Sequence, residues 1–154
     1  MPGFELIGEE ERKAVNELFD DGGVLFAHGF DSMRNDRYHV REFERKFADY
    51  LGVKYAQAVS SGTAALKISL IALGVRPGDE VITQSFTFIA TAEAIIDVGA
   101  KPVFVNINET LNMDPSELES AITDKTAVII PVHMLGVAAE QDKIHIIAKK
   151  YKIP

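Results

Sequence analysis

From Tyr55 onward the chain alternates short β-rich runs with helical segments, and glycines or a Pro-Gly turn punctuate the changes. The strand candidates are Tyr55 to Val59, Glu80 to Thr83, Pro102 to Ile107 and Thr126 to Val132, the last reading TAVIIPV. Between them fall helical stretches at about Thr63 to Leu73 and Ile89 to Val98, a third opened by Asp114-Pro115-Ser116-Glu117, and a fourth at about Glu140 to Lys150 that buries Ile144, Ile147 and Ala148. Gly74 and Gly99 stand where helices stop, and Arg76-Pro77-Gly78-Asp79 has turn composition. Strand, helix and strand in succession call for parallel pairing through right-handed crossovers. The expectation is therefore an α/β fold, a three-layer, mostly parallel sheet with flanking helices. TAVIIPV has the almost unbroken apolar character of a strand covered on both faces. Asp114 is placed as an N-cap, Pro115 as the first helical residue and Glu117 to reach back to the cap.

The first third of the chain has a different texture. Glu9 to Asp20 forms a modest amphipathic pattern with Val15, Leu18 and Phe19 on one face, stopped by Gly22-Gly23. Residues 21–36 predict a long polar loop, a length that is uncommon unless the loop binds something. From Val40 a second helix brings Phe43, Phe47, Tyr50 and Leu51 onto one stripe before Gly52, and these aromatics are expected in the core.

Composition narrows the partners. A net charge of -7 argues against a nucleic-acid surface, which needs clustered Lys and Arg, and favours a small-molecule ligand. The absence of cysteine excludes disulfides and thiolate metal sites. No run approaches the roughly 18 apolar residues of a membrane span, and Met1 to Gly8 lacks a signal-peptide layout, so a cytoplasmic protein with no membrane partner is expected.

In a parallel α/β sheet the ligand site belongs at the carboxyl ends of the strands, which here are Val59 to Thr63 and Thr83 to Phe88. The first of these, VSSGTAAL, has two readings. Ser and Thr are favoured N-caps, and the same turn suits an anion cradle in which Gly62 lets backbone approach a phosphate at the helix's positive end. Neither GxGxxG, GxxxxGK[ST] nor GxSxG occurs, and the four histidines show no metal-ligand spacing.

The ordered segments FERKFADYLG, VSSGTAAL, GVRPGDEVITQSFTFIATAEAIIDVGAKPVFVNI, LNMDPSELESAIT and IIPVHMLG together closely resemble the DegT/StrS-type sugar aminotransferases. These are fold-type I enzymes dependent on pyridoxal 5'-phosphate (PLP). The resemblance implies that Gly62 and Thr63, with Ser61 before them, hold the cofactor phosphate, and that Phe88 lies against its pyridine ring. A core phenylalanine is the other reading of Phe88. His133 and Gly136 match a P-x-H-x-x-G motif and Asp142 the acidic position after it; these support the site without touching the cofactor, or are structural. Arg37 and His39 face substrate or solvent.

The resemblance also implies what lies elsewhere. The family's pyridine carboxylate belongs on the strand after Pro154 and its Schiff-base lysine further on, and none of the ten lysines here matches the latter. Tyr151-Lys152-Ile153-Pro154 leads toward another buried strand, so the sequence is expected to stop inside a βαβ unit, as part of a larger enzyme and inactive alone. The expected organisation is a helix and loop segment over 1–39 and a partial PLP-dependent large domain over 40–154. The implied reaction transfers an amino group from an amino acid, glutamate, to a nucleotide-linked keto-sugar, in a homodimer. A sugar dehydratase and a non-catalytic regulatory or binding protein are the alternatives.

Overall fold

A computed structural model of the chain describes residues 3–154, apart from the side chain of Phe4. Met1 and Pro2, within the segment read for a signal peptide, lie outside the described residues. Backbone contacts divide the chain into two units, Met1–Ala58 and Val59–Pro154.

In the first unit, α1 spans Glu9–Asp20, and its opening glutamates favour the helix's positive end. Glu11 accepts a hydrogen bond from the Gly8 N–H at 2.7 Å, which closes the start. The following loop holds one short 3-10 turn, Asp31–Met33. It is tied together by buried Arg34, whose guanidinium donates to the carbonyls of Gly29 and Phe26. Helix α2, His39–Leu51, ends at Gly52 in the left-handed region.

Two expectations for this unit are corrected. The aromatic stripe of α2 is not core: Phe43 and Phe47 stack at 5.6 Å but stay largely exposed, and Tyr50 is 85% accessible. Among the described residues of the unit nothing apolar buries that face, and Ala48 is the helix's one buried residue. Nor do residues 55–59 form a strand. A strand needs a ladder partner, and none is offered among the described residues. The Glu44 carboxylate instead takes the Gln57 side-chain amide and the Ala58 N–H, each at 2.8 Å.

The second unit contains the sheet. In chain order it comprises α3 (Gly62–Ala72), β1 (Glu80–Gln84), α4 (Ile89–Asp97), β2 (Lys101–Val105), α5 (Pro115–Ala121), β3 (Thr126–Ile130) and α6 (Gln141–Tyr151). The strands pair parallel in the order β2-β1-β3, with Ile82 opposite both Val103 and Ile129. Because successive strand residues point to opposite faces, Val81 and Val128 join Leu70, Ala94 and Ile95 in one core. Ile82 and Ile129 join Met113, Leu118 and Ile144 in the other. Helices α3 and α4 cover the first face and α5 and α6 the second, which is the expected three-layer α/β arrangement. At the free side of β3, the Ile129 N–H donates to the Pro154 carbonyl at 3.1 Å.

Two turns position the layers. Gly99 adopts φ +79°, and a Cβ there would sit 3.0 Å from the Pro77 side chain, so the α4–β2 connection passes close over the Arg76–Asp79 turn. Helix α5 starts with Asp114 accepting from the Ser116 N–H and hydroxyl. Glu117 does not reach back, which corrects the expected capping box. Its carboxylate takes the Asn106 side-chain amide at 2.9 Å, and the Asp114 N–H donates to the Asn106 carbonyl at 3.0 Å.

Candidate functional site

Helix α3 begins at SSGT, and the capping reading of that turn holds. The Ser61 hydroxyl accepts from the Ala64 N–H at 3.1 Å, and the Ser61 carbonyl from the Ala65 N–H at 3.0 Å. Among the described residues no acceptor meets the Gly62 or Thr63 N–H groups or the Thr63 hydroxyl. Capping has been delegated to Ser61, and three donors are left pointing out of a helix's positive end. A Cβ added at Gly62 would meet nothing within 4 Å, so the fold itself does not require glycine there. What glycine preserves is open space beside the free donors.

That space belongs to a cleft of about 570 Å³ lined by Gly62, Thr63, Leu66, Ser69, Phe88 and Thr91, among others. Phe88 occupies the N-cap position of α4 without capping it and is 75% exposed. The core reading of Phe88 is thereby corrected: its ring stands at the cleft that contains Gly62 and Thr63. Among the described residues no lysine or carboxylate lines this cleft. Lys67, in the same helix, is paired with Asp97 at 2.8 Å.

Sequence reasoning passed over the residues that organise the carboxyl ends of the strands. Gln84 is fully buried at the end of β1, and all of its amide is used. Its Oε1 accepts from the Met113 N–H (3.1 Å) and the Val132 N–H (3.0 Å), while Nε2 donates to the Phe86 carbonyl (2.9 Å) and the Leu111 carbonyl (3.2 Å). Asn112, equally buried, accepts from the Met134 N–H at 2.8 Å and donates to the Val137 carbonyl at 3.2 Å. One signal was available, an amide residue closing a strand whose middle, Val81-Ile82, is apolar.

His133 belongs to the same loops. Its Nδ1 accepts from the Ala139 N–H at 2.9 Å and so closes the 133–139 turn, where Gly136 takes φ +85°. Asp142 lies exposed in the first turn of α6, where its charge suits the helix dipole. In the first unit, Arg37 and His39 line a separate cavity of about 560 Å³. Carboxylates already engage most of its charge: Arg37 pairs with Asp21, and Arg45 with Asp49 at 2.9 Å. Among the described residues no helix is long and apolar enough to cross a membrane.

A parallel sheet between two helical layers, with free amides at the start of α3 and an exposed aromatic ring on the same cleft, defines an α/β domain with an open cleft at a helix N-terminus. The chain belongs to the DegT/DnrJ/EryC1/StrS aminotransferase family, whose model matches residues 7–154. It is 53% identical over 116 residues to a UDP-2-acetamido-2-deoxy-3-oxo-D-glucuronate aminotransferase of Pseudomonas aeruginosa, covering 75% of this chain and 32% of that protein. Among solved structures, 3-amino-5-hydroxybenzoic acid synthase superposes with TM-score 0.85 at 36% identity, covering 96% of this chain and 37% of that one. NtdA from Bacillus subtilis, solved with bound cofactor PMP, gives 0.82 at 38% identity, over 96% of this chain and 33% of that one. The chain thus spans about a third of the length of the curated relatives it matches.

Proposed function

We propose that this chain is the N-terminal part of a PLP-dependent aminotransferase. The whole protein would move an amino group from glutamate to the keto carbon of a nucleotide-linked sugar. The observation that carries the reading is the set of unpaired donors at Gly62 and Thr63 facing open space, with the Phe88 ring on the same cleft. These residues fit the cofactor. The Gly62 and Thr63 amides and the Thr63 hydroxyl would hold its phosphate, Ser61 would keep the turn capped, and Phe88 would lie against the pyridine ring. The cofactor, when bound, supplies an electron sink for the amino-group transfer.

The division of labour follows from what lines the cleft. The chain's residues bind and orient, and Phe88 shields one face of the ring from water. His133 acts by holding the 133–139 turn. A lysine and a carboxylate are absent from the lining, so the residue that bonds to the cofactor and the one that keeps its ring nitrogen protonated come from elsewhere in the enzyme. In this reading the 154-residue chain has no transaminase activity alone, and the whole enzyme works in the cytoplasm as a homodimer.

The test is incubation of the full-length protein with PLP, glutamate and a nucleotide-linked keto-sugar, with mass spectrometry for 2-oxoglutarate and amino-sugar. Thr63→Val should weaken PLP binding by about 1.5–3 kcal/mol, the worth of a charge-assisted hydrogen bond. Unchanged cofactor affinity in that variant would remove the phosphate assignment. Turnover by the 154-residue chain above a free-PLP control would contradict the division of labour. A monomer at micromolar concentration in light scattering would remove the dimer.

A further inference from the structure

Two buried amide side chains, Gln84 and Asn112, hold the loops that border the carboxyl ends of the strands, and Gln84 reaches all three of them. We propose that Gln84 is a positioning residue: its amide fixes three loops relative to one another and, through Phe86, sets the Phe88 ring over the cleft. The proposal rests on the cofactor reading for its effect on binding, and on geometry alone for its effect on the loops.

An amide side chain has two donor and two acceptor sites, and Gln84 fills all four with backbone groups. Those groups come from three separate connections. Phe86 lies on the path from β1 to Phe88, Leu111 and Met113 flank the turn before α5, and Val132 precedes His133. Asn112 continues the web to Met134 and Val137. Chain connectivity alone fixes none of these loops against the others, since they follow different strands or precede different helices. A hydrophobic residue at 84 would leave two N–H groups and two carbonyls without their partner, and would free the Phe86 loop from the other two, which only Asn112 would then join. Such a network is mutually supportive only when complete. Gln84 therefore does for the loops what the strands do for the sheet.

A purely structural role would lower stability and nothing else, so the test compares variants matched in stability. Gln84→Met and Val81→Ala lie on the same strand, and Val81 packs in the opposite core, away from the loops. Urea conditions or temperature are chosen so that both variants in the full-length protein show the same distance from their unfolding midpoints, and PLP affinity is then titrated. The expected result is a loss of about tenfold or more in PLP affinity for Gln84→Met, the equivalent of one well-made hydrogen bond, with Val81→Ala close to the parent. Equal affinities in the two variants would overturn the proposal.

Native-state hydrogen exchange is the second measurement, and it needs no cofactor. In the parent, the Met113, Val132 and Met134 amides should open together, at one free energy, because one web holds them. Three unrelated exchange rates would overturn the proposal even if Gln84→Met fails to fold. A parent that binds no PLP would refute the cofactor reading instead, and the exchange result would then decide the role of Gln84 by itself.

Discussion

The two units of the chain draw on similar residues and treat them differently. Val59–Pro154 folds its apolar side chains into two cores, one on each face of a sheet whose central strand is fully buried beyond its first residue. In Met1–Ala58 the only buried residues among those described are Arg34 and Ala48. Phe26 and Phe30 stack at 5.4 Å, as Phe43 and Phe47 do at 5.6 Å, yet all four rings remain largely in contact with solvent. The difference is one of layers. A sheet offers two faces and its crossover helices supply the cover, whereas two helices and a loop have no second layer of their own. The first unit compensates with polar ties, chiefly the Arg34 guanidinium on the Gly29 and Phe26 carbonyls.

The sharpest way to break this comparison is to separate the units. Residues 59–154 alone should keep a cooperative urea transition by circular dichroism, while residues 1–58 alone should show none. A cooperative transition in the shorter piece would mean that its polar ties suffice. Next in size is a pair of truncations. Leu118→Ala, in the second unit's core, should cost about 2–5 kcal/mol. Phe43→Ala, on the exposed stripe of α2, should stay within about 0.5 kcal/mol. Equal urea midpoints for the two variants would remove the distinction.

The same contrast explains what was legible in the sequence. Periodicity and punctuation located the second unit's elements because α3 and α4 stop just before Gly74 and Gly99 and α5 opens on an Asp-Pro start, and both sheet faces could be anticipated from TAVIIPV. Helix α1 was also placed at its observed bounds, Glu9–Asp20. What failed was burial in the first unit. A stripe such as Phe43, Phe47, Tyr50 and Leu51 states that a helix face is apolar and says nothing about whether another layer is present to meet it. Tyr55 to Val59 failed similarly, since strand propensity does not supply a ladder partner. In the candidate site, SSGT was legible because capping chemistry is local. Gln84 and Asn112 were not, because their partners lie in loops far away in sequence, such as Val132 and Val137.

Two glycines of the second unit sharpen the comparison at a smaller scale. Gly99→Ala forces a left-handed residue and brings a Cβ to 3.0 Å from Pro77, so it should destabilise by about 1–3 kcal/mol. Gly62→Ala meets no atom within 4 Å and should leave stability within about 0.5 kcal/mol, while weakening PLP binding in the full-length protein. A Gly62→Ala variant that loses stability as Gly99→Ala does would show that glycine serves the turn and not an open cradle.

The smallest expected effect concerns acid, and it tests whether a local tie registers in global unfolding. Asp114 accepts hydrogen bonds from the Ser116 hydroxyl and N–H, and these hold its carboxyl below the ordinary range against a smaller opposing effect of desolvation. Glu11 in the first unit is lowered in a similar way by the Gly8 N–H. A carboxyl lowered in the native state contributes stability that is present above its unfolded value, about pH 4, and lost as pH falls through the native value. Asp114 caps a helix packed into the second core, so its protonation is linked to the cooperative transition. Glu11 closes a helix that buries nothing. Urea midpoints measured from roughly pH 5 to pH 3 should therefore fall less steeply for Asp114→Asn than for the parent, since asparagine still caps but does not titrate there. Glu80 and Glu119, also lowered by Thr123 and Lys150 respectively, account for slope that remains. Glu11→Gln should reproduce the parent's curve, and a flatter curve for Glu11→Gln than for Asp114→Asn would show that the first unit unfolds with the second and not apart from it.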